Sequence, residues 1–290
     1  MRNTYIIAKN EFVNLLNSKL IFVVVAVYVI LFIQGTISMR PPGDPIYTST
    51  LANLHLIGIA DSDYYTCALL YGVGYSLWVY GALFGVVLGV YTVASERYGK
   101  TLGNLVAKPL YRDTIINGKL IGCSMFILAL FFITILLYTV YIMVCWGGAF
   151  LPLAGDYLIR LPIVAAAALI YVMFFFAIAM LISLVVKDLA FALIASMLIR
   201  QVLLNAVGGE ISSKLALLSG IDFDQLRSIF PDIIIRSVFA LPGERNNILI
   251  PSIDLLSAVS AAIPAMAILF VYVVILVVAG YIIFLRSDVS

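Results

Sequence analysis

Long uninterrupted runs of hydrophobic residues dominate the chain, and polar residues collect in the segments between them. Six runs approach or exceed the roughly 20 residues that a helix needs to cross a bilayer core about 30 Å thick. They are approximately 20–37, 69–93, 120–146, 161–186, 189–207 and 263–285. Because the runs are continuous and do not alternate at every second residue, they predict helices and not the strands of a barrel. The expected fold is an all-α, polytopic membrane bundle with six transmembrane helices.

The composition agrees with a chain dissolved in lipid. Hydrophobic residues make up 64% of it and charged residues 11%, and the mean hydropathy is +1.14. These values exclude a soluble globular domain and a disordered chain. A formal net charge of +2 leaves no basic surface for nucleic acid. Three cysteines without C-x-x-C spacing and a single histidine predict no metal site. Cys67 and Cys145 fall near the same predicted surface, and we expect them not to pair.

The distribution of lysine and arginine predicts the orientation. With the N-terminus inside, ten basic residues fall on the inner segments and six on the longer outer segments. The chain is therefore expected in the cell membrane, multi-pass, with both termini cytoplasmic. The inner segments are then 1–19 and 94–119, and the main outer segments are 39–68 and 208–262.

Both inner segments have helical patterns. Residues 5–20 have the spacing of a helix with an imperfect apolar face, which indicates a helix lying at the inner interface or a polar lead-in to the first span. The apolar face comprises Tyr5, Ala8, Phe12, Leu15, Leu16 and Leu20, and the polar face comprises Asn3, Asn10, Glu11, Asn14, Asn17 and Ser18. In the loop, Leu102, Leu105 and Val106 have i, i+3, i+4 spacing, and Pro109 would end that short helix. Asp113 stands where an N-cap belongs, ahead of a second short helix. The loop therefore predicts a helical hairpin.

The same loop carries a resemblance to a known family. Its fixed-spacing residues are Glu96-Arg97, Thr101-Leu102, Leu105, Pro109, Arg112 and Gly118-Lys119. This pattern resembles the first cytoplasmic loop of type 2 ABC-transporter permeases, and residues 7–12 resemble the N-terminal elbow helix of that family. One position departs from the pattern, because Lys100 stands where the family has glycine and Gly99 precedes it.

The resemblance implies a single transmembrane permease domain over 1–290, with an elbow helix (1–19), a coupling loop (94–119) and an extracytoplasmic segment (208–262). It implies a separate ABC ATP-binding subunit that carries ATP and Mg, and a homodimer or heterodimer of permeases in the lipid bilayer. The coupling residues it implies are Glu96, Arg97, Thr101, Leu102, Leu105, Val106, Pro109, Arg112, Gly118 and Lys119.

The implied function is a transporter subunit that exports a substrate and is not itself an enzyme. The chain lacks a G-x-x-x-x-G-K-[ST] loop, and Gly99-Lys100-Thr101 matches only the end of that motif. A membrane-embedded enzyme, or an anchor that tethers an ATPase without transporting, stays open as the alternative. The residues do not select a substrate, although the apolar spans favour an amphipathic one.

Two features inside the spans have two interpretations each. Gly81, Gly85 and Gly89 form a stripe of small residues that either packs helices together or shapes the central pathway. Arg200 is the only charge well inside a span. Arg200, with the neighbouring Gln201 and the weaker candidate Gln34, either lines a substrate pathway or makes a structural contact.

Overall fold

The fold is a bundle of helices in a computed structural model that describes residues 2–37, 61–98, 112–186, 188–206, 217–218, 220, 230–239 and 248–286. The helices are α1 (Arg2–Asn17), α2 (Lys19–Ile37), α3 (Asp61–Tyr75), α4 (Gly81–Tyr98), α5 (Arg112–Trp146), α6 (Ala154–Val185), α7 (Leu189–Ala206), α8 (Pro231–Val238) and α9 (Leu255–Arg286). A π-helical turn, Ser76–Tyr80, joins α3 to α4. Two 3-10 turns, Gly147–Ala149 and Leu151–Leu153, join α5 to α6.

Within the described residues, five stretches of helix are long and apolar enough to cross a membrane. They are Lys19–Ile37, Asp63–Ala94, Ile116–Ala149, Leu151–Val185 and Leu255–Ile283. The fifth of the six predicted runs corresponds to α7, which is shorter, with 18 residues. At 1.5 Å per residue α7 measures about 27 Å, close to the thickness of the bilayer core. The prediction of a polytopic helical membrane bundle is confirmed.

The two ends of the bundle are distinguished here by the loop 99–111. The end where α1, the last turn of α4 and the first turns of α5 meet is called the proximal end, and the opposite end the distal end.

One prediction at the proximal end is wrong. Asp113 does not cap a separate short helix, because α5 begins at Arg112 and continues unbroken to Trp146. No proline interrupts this stretch, so nothing in the backbone ends the helix before the span begins.

The centre of the bundle is the contact between α4 and α6, and the glycine stripe makes it close. A Cβ atom on Gly85 would lie 3.0 Å from the carbonyl oxygen of Val172, and one on Gly89 would strike the carbonyl oxygen of Phe176. Only glycine lets two helix backbones approach this closely. Gly81, Gly85 and Gly89 therefore lie where α4 packs against α6.

At the distal end, two pieces of the segment 208–262 pack against the spans. In α8, the residues Pro231, Asp232, Ile234, Ile235 and Val238 are buried, so this helix is packed into the bundle. The following turn, with Ile248 and Leu249 buried, is held by Arg160 of α6. The guanidinium of Arg160 donates to the carbonyl oxygens of Ile248 (2.7 Å), Pro251 (3.2 Å) and Ile253 (2.6 Å).

Candidate functional site

The structure defines the base of the loop in which the coupling residues are predicted. Glu96 and Arg97 lie in the last turns of α4, Arg112 begins α5, and Gly118 and Lys119 follow in the next turns of α5. The other five predicted residues, Thr101, Leu102, Leu105, Val106 and Pro109, lie outside the described residues. The site is therefore built from the two helices that enter and leave the loop, together with α1.

Lys119 connects the three helices at this base. Its ammonium group donates to Oε1 of Glu11 in α1 at 3.2 Å and to the carbonyl oxygen of Thr92 in α4 at 3.0 Å. The side chains of Lys119 and Glu11 are each 12% exposed. An ion pair with so little water around it is screened less than one at the surface, and it also fixes the direction of both side chains. Lys119 thus joins the helix that enters the loop to the helix that leaves it.

The backbone of α5 lies close to α1 on either side of Lys119. A Cβ atom on Gly118 would lie 2.6 Å from Cγ2 of Ile7, and one on Gly122 would lie 2.7 Å from the carbonyl oxygen of Ala8. Gly118 and Gly122 have the G-x-x-x-G spacing that permits close helix contact. Gly118, predicted as a coupling residue, therefore acts here as a packing surface for α1.

The packed face of α1 differs in part from its predicted apolar face. Ala8 and Leu15 are buried, and the ring of Phe12 lies edge-on to Phe126 of α5 at 5.7 Å. Tyr5 and Leu16 were expected on the same face but are 67% and 58% exposed. Sequence reasoning placed Glu11 on the polar face, whereas its ion pair with Lys119 turns it toward the bundle.

A second polar cluster lies far from the loop, around Arg200 of α7. Arg200 is 7% exposed, and its Nη2 donates to the carbonyl oxygen of Val79 in the π-helical turn at 3.1 Å. Its guanidinium carbon lies 5.8 Å from the centre of the Phe175 ring. Because the side chain is buried and hydrogen-bonded, Arg200 makes a structural contact and does not extend to the membrane surface.

The carboxylate of Asp232 in α8 belongs to the same cluster. Its Oδ2 accepts a hydrogen bond from Nε of Arg236 at 2.8 Å. Burial raises the pKa of Asp232, while Arg236, Arg200 and the hydroxyl of Tyr171 act in the opposite direction. The cluster therefore places the carboxyl group of Asp232 against the guanidinium of Arg236 within a largely apolar bundle.

The other predicted pathway residues are not in this cluster. Gln201 follows Arg200 in α7 but faces outward, and Gln34 is an exposed residue of α2. Adjacent helical residues point about 100° apart, so Arg200 and Gln201 cannot share one face.

The described residues include all three cysteines and show no disulfide and no metal-binding cluster. Cys67, Cys123 and Cys145 are free cysteines, the first two buried and the third exposed. The part of the chain that the structure describes contains no group of three or more histidine, cysteine, aspartate or glutamate residues able to hold a metal ion.

Some residues at the site were missed by the sequence analysis. Gly122 could have been found from the G-x-x-x-G spacing that it forms with Gly118. Glu11 and Thr92 carry no local signal, because their roles depend on contacts with a lysine that is 108 and 27 residues away.

Comparison with protein families gives a match over nearly the whole chain. Residues 5–289 match the family described as ABC-2 family transporter protein. No curated protein matches the chain.

Proposed function

Because the chain belongs to the ABC-2 transporter family, as a multi-pass permease component of an ABC transporter, we propose that it exports a substrate by coupling to a separate ATP-binding subunit. The proposed docking site for the ATP-binding subunit is the loop 99–111. Leu102, Leu105 and Val106 would supply an apolar face, Pro109 would end the docking helix, and Arg112 would add a polar contact.

The observation that carries this proposal is the position of Lys119 at the base of the loop. Movement of a docked subunit can reach the spans only if the helices on either side of the loop respond together. Lys119 bonds to α1 and to α4 while it belongs to α5. The three helices are therefore linked at the point where the loop would transmit force. Glu96 and Arg97, one turn beyond Thr92 in α4, and Thr101 at the start of the loop would extend this connection.

The orientation follows from the same assignment. The proximal end would face the cytoplasm, in agreement with the excess of basic residues on that side. ATP and Mg would bind to the partner, since this chain lacks a phosphate-binding loop. Two ATP-binding subunits on a homodimer or heterodimer of permeases would shift the spans between inward and outward access by binding the two states with different affinity.

The pathway is proposed to run beside α7 and α2. The exposed side chains of Gln201 and Gln34 would face it, and Arg200 would support its wall from the buried side of α7. The spans are mostly apolar, so an amphipathic or lipid-like molecule is the substrate class that fits best.

Co-purification tests the proposed function. The chain is expressed with the ABC ATP-binding subunit encoded nearest to it and purified in mild detergent. We expect a stable complex whose ATPase activity depends on the permease, and loss of the complex in Leu102→Asp/Leu105→Asp. The matched control is Leu217→Asp/Leu218→Asp, which changes two residues that are each 85% exposed in the segment 208–262. A folded chain that binds no such subunit would contradict the proposal.

A further inference from the structure

The second span is interrupted by a π-helical turn near its middle. Ser76–Tyr80 lies between α3 and α4, which otherwise form one continuous stretch, Asp63–Ala94. A π-helical turn inserts an extra residue into the helix and shifts the hydrogen-bond register. Such turns are frequent at functional sites, because the register can shift back. The turn is therefore a place where the two halves of the span can change their relative direction.

The turn is held by one hydrogen bond from α7 and by another within its own span. Nη2 of Arg200 donates to the carbonyl oxygen of Val79 at 3.1 Å, and Oγ of Ser76 donates to the carbonyl oxygen of Gly72 at 2.9 Å. The bond from Arg200 comes from α7, 121 residues along the chain. It ties the carbonyl of Val79, in the observed register of the turn, to α7.

Trp78 holds the turn on its other side. The ring of Trp78 lies 5.5 Å from the ring of Tyr171 in α6, edge to face. The guanidinium carbon of Arg236 in α8 lies 5.9 Å from the centre of the Trp78 ring. The π-helical turn is thus in contact with α6, α7 and α8 at one level of the bundle.

These contacts leave polar groups unsatisfied. Among the described residues, Nε1 of Trp78 and Nε of Arg200 are buried without a hydrogen-bond partner. A buried donor without a partner disfavours the arrangement that contains it. The observed state is therefore held by a few specific bonds and opposed by these unsatisfied donors.

The two halves of the second span differ in how they pack. On the proximal side of the turn, Gly85 and Gly89 bring the backbone of α4 against Val172 and Phe176 of α6. On the distal side, a Cβ atom on Gly74 would lie 3.1 Å from a methyl group of Val164 and 3.6 Å from the ring of Phe239, so side chains and not backbone limit the approach of α3. Movement at the turn would therefore displace α3 while α4 stays on α6.

We propose that Ser76–Tyr80 is a hinge in the second span, and that Arg200 is the positioning residue that holds it closed by bonding to the carbonyl of Val79. When that bond breaks, α3 moves away from α6 and α8. The existence of the hinge does not depend on the proposed function. The use of this hinge to open the distal end during transport does rest on the proposed function.

Two native cysteines make the hinge measurable. Cys67 lies in α3 and Cys123 in α5, and each is 0% exposed. A small neutral maleimide should label Cys67 only when α3 moves, whereas Cys123 reports on general loosening near the proximal end. The labelling rate of each cysteine is measured by mass spectrometry on the purified chain in lipid nanodiscs, with Cys145→Ser as background.

We expect Arg200→Gln to raise the labelling rate of Cys67 on the order of tenfold, as for a local opening, and to leave that of Cys123 unchanged. Arg200→Lys keeps a charged donor and should restore part of the protection. Val202→Ala, at a position of the same helix that is 57% exposed, is the matched control and should match wild type. Arg236→Gln, at a side chain that is 62% exposed, loosens Trp78 and should give a smaller rise.

Two results would overturn the hinge. Equal rises at Cys67 and Cys123 would mean that Arg200 only stabilises the bundle as a whole. Labelling of Cys67 that stays at the wild-type rate in both Arg200→Gln and Arg236→Gln would mean that the turn is fixed without these contacts. Because the measurement uses no ATP-binding subunit, it remains decisive if the proposed coupling fails.

Discussion

Lys119 of α5 forms an ion pair with Glu11 of α1, with 3.2 Å between Nζ and Oε1. The same ammonium group donates to the carbonyl oxygen of Thr92 in α4. Three segments that are far apart in sequence therefore meet on one charge at the base of the loop 99–111. In a transporter whose force enters through that loop, this lysine is the connection between the loop and the spans.

The first prediction concerns this ion pair. A double-mutant cycle of Glu11→Gln and Lys119→Met should give a coupling energy of at least about 1 kcal/mol in the free energy of unfolding, because the two groups contact each other directly. Lys119→Met should be the more damaging single change, since it also removes the bond to Thr92. The cycle is measured by denaturant unfolding in detergent.

The exposed Lys9, two residues before Glu11 on α1, provides the control for charge alone. Lys9→Met should leave the unfolding free energy within about 0.5 kcal/mol of wild type. Single effects of Glu11→Gln and Lys119→Met that simply add would show that the pair contributes nothing.

A second prediction follows from the close contact between α4 and α6. Gly89→Ala places a methyl group against the carbonyl oxygen of Phe176 and should destabilise the fold by about 1 to 3 kcal/mol, the usual cost of overpacking. Gly155→Ala is the matched control, because nothing lies within 4 Å of the added atom. It should leave stability unchanged or raise it by up to about 1 kcal/mol, from helix propensity. Similar melting temperatures for the two variants would contradict the packing account.

Part of this structure could be predicted from the sequence and part could not. The hydrophobic runs predict the spans, since crossing a bilayer needs a set length of apolar helix. The glycine stripe predicts close packing, because only small residues allow it. Neither pattern names the neighbouring helix, so the bonds of Lys119 to Glu11 and of Arg200 to Val79 could not be predicted. Residues 76–80 contain neither glycine nor proline, and the π-helical turn leaves no local signal.

The third prediction concerns the turn that precedes α9. Arg160→Met removes three hydrogen bonds to the carbonyls of Ile248, Pro251 and Ile253 and should lower the free energy of unfolding by at least about 4 kcal/mol, since each bond from a charged group is worth about 1.5 to 3 kcal/mol. Limited proteolysis should then cut within 248–254 in the variant before any other described segment. Arg160→Lys should restore only part of the protection, because an ammonium group lacks the forked geometry of a guanidinium. Unchanged cleavage in Arg160→Met would show that the turn is held by its apolar contacts.

The fourth prediction uses the raised pKa of Asp232. Burial makes the folded protein hold a proton on this carboxyl at pH values where the unfolded chain has released it. The free energy of unfolding therefore falls as the pH rises from about 4 through the raised pKa of Asp232. The side chain of Asp232→Asn does not titrate, so the melting temperature of this variant should rise relative to that of wild type as the pH increases through this interval. A difference between the two that is constant with pH, or that shifts the other way, would mean that Asp232 does not ionise in the folded state as described.

The central claim is that the loop 99–111 is where an ATP-binding subunit docks, and site-specific photo-cross-linking tests it most directly. A photoreactive amino acid is placed at Leu105, and in a matched variant at Leu217, during co-expression with the ATP-binding subunit encoded nearest to the chain. We predict a cross-link to that subunit from position 105 alone, reduced when Lys119→Met loosens the base of the loop. A cross-link from position 217 but none from 105, in a complex that hydrolyses ATP, would contradict the account.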